Sequence, residues 1–187
     1  MTEKRKLKID WFEFSAAFEL NIPETEAYLD LETGVVLNVT DEARRQLEDL
    51  WEEIPAEAQD PRAALEDRLA QHSELHDWQR QTIRDAMQVE FNLDRYLSID
   101  PEPYADYNDM ERFIWTLDDD QLAVQLDRAI RGRGAFRRFK DLLARHPQIQ
   151  AAWYDFKDRQ NKRRMLDWLE YHEIEPINVL DDEDSLQ

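Results

Sequence analysis

The 187-residue sequence has no cysteine, three glycines and seven prolines. Without cysteine the chain forms no disulfide, no thiolate metal site and no cysteine nucleophile, which fits a reducing compartment. So few glycines and prolines exclude collagen-like and low-complexity architecture and favour helices with few tight turns. No run approaches the roughly 20 apolar residues that a membrane-spanning helix needs. We therefore predict a soluble, cytoplasmic protein without a membrane partner.

Positive charge is scarce overall and concentrated in one region. The chain has 24 basic and 43 acidic residues, a formal net charge of −19. From Arg128 to Arg164, here called the basic segment, twelve basic residues stand against three acidic ones, which leaves −28 for the rest. The overall charge repels nucleic acid and anionic membranes at long range. Because physiological salt screens charges beyond about 8 Å, contact with an anion at the basic segment is still possible.

The composition predicts a packed core, since 42% of residues are apolar and 11% aromatic, with six tryptophans. We expect a single α+β domain over residues 1–180, followed by an acidic flexible tail at 181–187. It should be mostly helical, with a small antiparallel sheet that includes a hairpin at 27–39. In that hairpin Gly34 is placed to adopt the positive φ of a short loop.

Apolar spacing and capping residues predict six or seven helices. They are expected at 9–20, 40–54, 60–91 with a break near 71–73, 104–115, 121–131, 135–145 and 147–171. Short strands are expected at 95–99 and 174–177. In the last helix Trp153, Phe156, Leu166 and Leu169 should face the core, whereas Tyr154 lies off that stripe and should be exposed.

Two glycines one residue apart interrupt the basic segment at Gly132-Arg133-Gly134 and predict a corner between two helices. Free N–H groups at the start of the second helix, with the positive end of its dipole, can bind an anion. Arginine adds paired donors for phosphate or carboxylate. The candidate anion-binding or nucleic-acid-binding residues are Arg131, Gly132, Arg133, Gly134, Arg137, Arg138 and Lys140. Alternatively, Gly132 only caps the first helix, and the arginines pair with Asp118–Asp120 or the acidic C-terminal stretch.

The remaining chemistry-bearing residues form no recognisable catalytic motif. His72 and His76 are four apart on a predicted helix with Glu74 between them, a spacing that can hold a metal. The zinc-protease motif, however, places glutamate directly after the first histidine, so a surface pair is the better interpretation. The sequence has no P-loop, dinucleotide fingerprint or nucleophile elbow. We predict no metal, no cofactor and no catalytic residue; these absences lower the expectation of an enzyme without excluding one.

Several motifs resemble those of a bacterial family known as Uncharacterised Protein Family 0158. They are the hairpin Tyr28-Leu29-Asp30-Leu31-Glu32-Thr33-Gly34, the pair Met110 and Phe113, the signature from Ala129 to Lys140, and the pair Trp153 and Phe156. The resemblance extends from about residue 26 to 170, with no motif between about Leu50 and Asn92. It implies a small soluble bacterial protein and brings no activity, cofactor or catalytic residue.

Two functional hypotheses follow from the charge pattern. In the first, the protein is a binding or regulatory module that holds a phosphate-bearing ligand or nucleic acid at the glycine-hinged corner. In the second, it is a protein–protein adaptor or a self-associating protein whose basic corner contacts an acidic face of another copy or another protein. The first predicts binding that weakens with salt; the second predicts salt-dependent dimerisation without retention of nucleic acid.

Overall fold

A computed structural model describes residues 4–19, 22–100, 102 and 104–178. The elements in chain order are β1 (Arg5–Leu7), α1 (Trp11–Glu19), β2 (Thr25–Asp30), β3 (Val36–Thr40), α2 (Asp41–Glu52), α3 (Pro61–Gln71), α4 (Asp77–Phe91), β4 (Tyr96–Ile99), α5 (Ala105–Ile114), α6 (Asp120–Ala129), α7 (Ala135–Leu143), α8 (Pro147–Tyr171) and β5 (Ile174–Pro176). The predicted α+β, mostly helical fold is confirmed.

The chain divides into two compact units. Unit 1 comprises residues 1–100 and 169–187, and unit 2 comprises residues 101–168. The expected single domain over residues 1–180 stays a prediction. The expected tail at 181–187 lies outside the described residues.

Unit 1 contains the predicted hairpin in a three-stranded antiparallel sheet of order β3-β2-β4. Leu29 pairs with Val36 across the hairpin, and Ala27 pairs with Ile99 on the other side of β2. Gly34 has φ +75°, and a Cβ atom there would lie 1.8 Å from the Lys8 carbonyl oxygen. The hairpin turn therefore requires glycine for its backbone angle and for its close approach to the preceding chain.

A second sheet of unit 1 differs from the prediction. β1 and β5 pair in parallel, with Arg5 opposite Ile174 and Leu7 opposite Pro176, so the strands are not all antiparallel. The three residues of β1 read Arg-Lys-Leu, and only the last is buried. Such a short, mostly charged strand has no alternating pattern that sequence reasoning can detect.

Helices α2, α3 and α4 of unit 1 form a core with the face of the antiparallel sheet that carries Tyr28, Leu37 and Val39. Thr40 caps α2 by accepting a hydrogen bond of 3.1 Å from the Ala43 N–H. α3 ends at Gln71 and α4 begins at Asp77, so the break predicted near 71–73 is confirmed and separates two helices. Fully buried Leu65, Leu69 and Ile83, among others, fill the core beneath them.

Unit 2 contains only helices in its described residues, and its core surrounds Trp153. The indole is 1% exposed and packs edge-on against Phe113 and Phe139, with ring centroids 5.2 and 4.9 Å away. The inward orientation predicted for Trp153 and Phe156 is confirmed, whereas Leu166 is 42% exposed because its neighbour Met165 takes the buried position.

Candidate anion-binding corner

The predicted corner between two helices of unit 2 is present. Asp119 caps the start of α6 by accepting hydrogen bonds of 3.0 Å from the N–H groups of Gln121 and Leu122. After α6, Gly132 and Gly134 have φ +79° and +80°, which only glycine adopts at little cost. α7 begins directly after Gly134, which has no side chain to cap the first N–H groups of that helix.

The exposed side chain of Arg138 holds the corner together. Its guanidinium donates to the backbone carbonyls of Ala129 at 3.0 Å, Arg131 at 2.7 Å and Arg133 at 2.5 Å, with a longer contact of 3.4 Å to Gly132. These carbonyls lie at and after the end of α6, where acceptors lack helical partners and the dipole is negative. Arg138 is therefore committed to stabilising the turn.

Two further candidates have partners close by in the chain. Arg131 donates to the Asp127 carboxylate one turn earlier, at 2.6 Å from Nη2 and 3.1 Å from Nε. The Nζ atom of Lys140 lies 4.7 Å from the centre of the Phe136 ring, within the range of a cation–π interaction. Neither side chain reaches Asp118–Asp120, the acidic run considered as an internal partner.

Arg133 and Arg137 differ from the other candidates. Arg137 has a side chain 90% exposed, and its only ion pair within the described chain is a loose one, with Nε 3.8 Å from the Asp141 carboxylate. Arg133 is exposed, and within the described residues its side chain has neither a hydrogen bond nor an ion pair. The corner thus presents two largely unneutralised guanidinium groups beside the uncapped start of α7.

The two predicted histidines do not share a helix. His72 follows the last residue of α3, and His76 precedes the first residue of α4, so the helical spacing assumed for a metal pair is wrong. The Nδ1 atom of His72 lies 2.5 Å from the Glu74 carboxylate and its Nε2 atom 3.6 Å from Glu53. The hydrogen bond with Glu74 raises the pKa of His72. Within the described residues no group of three or more potential ligands is placed to hold a metal.

The sequence predicted the corner but not the ion pair and hydrogen bonds within it. The ion pair of Arg131 with Asp127 has a detectable signal, since residues four apart on a helix are neighbours. The contact of Arg138 with the carbonyls of the turn has no such signal, because every residue contributes the same backbone acceptor. Tyr154, expected to be exposed, is 48% exposed, so that prediction is confirmed.

The protein has a mostly helical α+β fold, and its corner is formed by the signature sequence from Ala129 to Lys140. A family model described as Uncharacterised protein family (UPF0158) matches residues 76–186. Because the match covers more than half of the chain, the protein belongs to this family. The corner and all of unit 2 lie inside the matched region, whereas the hairpin precedes it.

Among curated proteins the chain is similar to a UPF0158 protein of Pseudomonas aeruginosa. The two are 28% identical over 161 residues, which is 86% of this chain and 81% of the relative. No solved structure matches. Within the described residues no helix combines the length and apolarity needed to cross a bilayer.

Proposed function

We propose that this protein is a binding or regulatory protein that holds a phosphate-bearing partner at the Arg131–Lys140 corner. The proposal rests on one observation, which is that the arginines of the corner have different roles. Arg138 is used to build the turn, while Arg133 and Arg137 stand exposed with their charge largely unmet. An anion at this point would meet two guanidinium groups and the N-terminus of α7 together.

The shape of the corner favours a backbone phosphate of nucleic acid over a nucleotide held by its base. Residues 131–134 are all exposed, and an exposed turn suits an extended partner better than a small molecule, whose sites are usually concave and enclosing. Further exposed cations of the basic segment, including Arg128 and Arg159, lie in the same unit. An extended polyanion could contact several of them, and its affinity would fall with salt.

The test is fluorescence anisotropy with labelled single-stranded and duplex oligonucleotides at low salt. The variant Arg133→Glu plus Arg137→Glu should weaken binding at least about tenfold and reduce the salt slope by about 1.4 for single strands. The control Arg45→Glu plus Arg112→Glu makes the same charge change at exposed positions outside the basic segment. Equal losses in both variants, or no binding by the unmodified protein, would overturn the proposal.

Competition with pyrophosphate distinguishes the possible sources of phosphate. If the partner is a nucleic acid backbone, millimolar pyrophosphate should displace the oligonucleotide only partly, because a single anion neutralises few cations. If the partner is a small phosphate compound, pyrophosphate should bind the unmodified protein with comparable affinity, and the double variant should lose that binding.

We also propose a bacterial, cytoplasmic setting, as the sequence and the bacterial relative suggest.

The alternative is self-association, favoured by the unequal charge of the two units. Unit 1 carries 11 basic and 31 acidic residues, whereas unit 2 carries 13 and 12. Attraction between the basic corner of one copy and the acidic surface of another would produce a dimer that dissociates as salt rises. Sedimentation at low and high salt measures this, and a monomer at every salt concentration contradicts it.

A further inference from the structure

Unit 1 has a groove between two helices that the phosphate-binding proposal does not use. It has a volume of about 300 Å³ and lies between α2 and α4, with Val39 of β3 contributing to its lining. The remaining lining residues are Arg44, Leu47, Glu48, Trp51, Ala86, Val89, Glu90 and Phe91. The groove therefore combines an apolar interior with a few charged side chains.

The apolar part of the groove includes an aromatic ring that the fold leaves half uncovered. Trp51, near the end of α2, is 48% exposed. Its ring centroid lies 5.7 Å from that of Phe91 on the opposite helix. Leu47, Ala86 and Val89 beneath are buried. A half-exposed tryptophan above a buried apolar floor is typical of an anchor position in protein interfaces.

The charged part of the groove is acidic. Glu48 on α2 and Glu90 on α4 are exposed, and within the described chain neither has an ion pair. The cation in the lining, Arg44, is already engaged, since Nη2 lies 2.5 Å from the Glu26 carboxylate and 2.6 Å from the Tyr28 hydroxyl. Exposed carboxylates thus flank the apolar floor from both helices, and Arg44 offsets only part of the charge of Glu90.

We infer that this groove binds a segment of another protein, an amphipathic helix with one aromatic or large aliphatic residue between lysines or arginines. The apolar side chain packs against Trp51 and Phe91, and the cations lie against Glu48 and Glu90. The net charge of −20 on unit 1 attracts a basic segment and repels an acidic one. A helix laid into an apolar groove is a common mode of peptide recognition. The inference is independent of the phosphate-binding proposal.

The experiment uses the full-length protein and a labelled 16-residue helical peptide of alanine and lysine with one central phenylalanine. A matched peptide carries glutamate in place of lysine. We expect the lysine peptide to bind with micromolar affinity and the glutamate peptide not to bind. Trp51→Ala should weaken binding at least about tenfold, since truncating an anchor typically costs this much. Glu48→Lys plus Glu90→Lys should abolish it.

Asp67→Lys plus Glu57→Lys supplies the control, because it makes the same charge change at exposed positions outside the groove. This variant should bind within about threefold of the unmodified protein. Equal weakening in the control, or unchanged binding by Trp51→Ala with a native circular dichroism spectrum, would overturn the inference. A dimer that Glu48→Lys plus Glu90→Lys dissociates would overturn it too, since the occupant would then be a second copy.

Discussion

The two units differ in how their basic residues are paired. In unit 1 bases are outnumbered almost three to one, and most of them join separate elements, as Arg95 does with Asp30 or Arg84 with Glu66. In unit 2 the two signs are balanced, and within the described residues bases such as Arg137 and Arg163 have ion-pair partners only four positions away on the same helix. The scarce bases of unit 1 are therefore committed to structure, whereas in unit 2 bases such as Arg133 and Arg137 are exposed with little or no internal pairing.

This comparison explains why each unit offers a different kind of surface. Unit 1 presents excess carboxylates around an apolar groove, which suits a basic protein segment. Unit 2 presents two exposed guanidinium groups beside a helix N-terminus, which suits an anion. A substitution that removes a committed charge should lower stability, whereas one that removes a surplus charge should alter only binding.

The largest predicted difference in stability between the units concerns the backbone at one glycine in each. Gly34→Ala in unit 1 should cost more than about 3 kcal/mol of unfolding free energy, because its Cβ meets the Lys8 carbonyl at 1.8 Å in a left-handed conformation. Gly132→Ala in unit 2 has a similar φ, but nothing lies within 4 Å of its Cβ, so the expected cost is about 1 kcal/mol. Urea unfolding measures both. Equal costs would contradict the close approach at the hairpin.

The next largest effect should come from the committed ion pair of unit 1. Burial raises the pKa of Asp30, but hydrogen bonds from Arg95, the Glu32 N–H and the Thr33 hydroxyl outweigh it and lower the pKa to about 2. The carboxylate thus adds stability that is complete above its ordinary pKa of 3.8 and is lost as pH falls toward 2. Asp30→Asn should cost about 2 kcal/mol at pH 7 and much less near pH 2.

Unfolding in urea at a series of pH values tests this directly. Asp94→Asn provides the control, since Asp94 is exposed in the same part of unit 1 and should cost little at any pH. If the difference between Asp30→Asn and the unmodified protein stayed constant from pH 7 to pH 2, the lowered pKa of Asp30 would be wrong.

Sequence patterns predicted the elements whose signals are local. The hairpin is predictable because glycine separates two β-prone runs, and α2 and α6 are predictable because residues that favour helix N-caps, Thr40 and the Asp118–Asp120 run, stand at their starts. The signature Ala129–Lys140 likewise identified a family that the comparison confirms. Signals of this kind depend on residues a few positions apart, so one sequence contains them completely.

Features that depend on distant residues were not predictable. β1 pairs with β5 almost 170 positions away, and the Asn178 side chain bonds the backbone N–H and carbonyl of Ile9, each at 2.8 Å. The exposure of Trp51 depends on where α4 lies, and the role of Arg138 depends on the path of the turn. Each of these features depends on which residues the fold brings close together, and no spacing along the chain specifies that.

The smallest predicted effect separates two arginines of the same turn. Arg138→Gln removes donors to the carbonyls of Ala129, Arg131 and Arg133 and should cost about 1–2 kcal/mol, since these exposed bonds are each worth little more than about 0.5 kcal/mol. Arg133→Gln makes the same charge change without losing an internal bond and should cost less than about 0.5 kcal/mol. Hydrogen exchange at the amides of residues 131 and 138, which donate to the carbonyls of Arg128 and Gly134, measures the difference locally. Faster exchange in Arg138→Gln alone would show that one arginine maintains the turn and leaves the other available for a ligand; equal exchange in both variants would remove the distinction on which the phosphate-binding proposal depends.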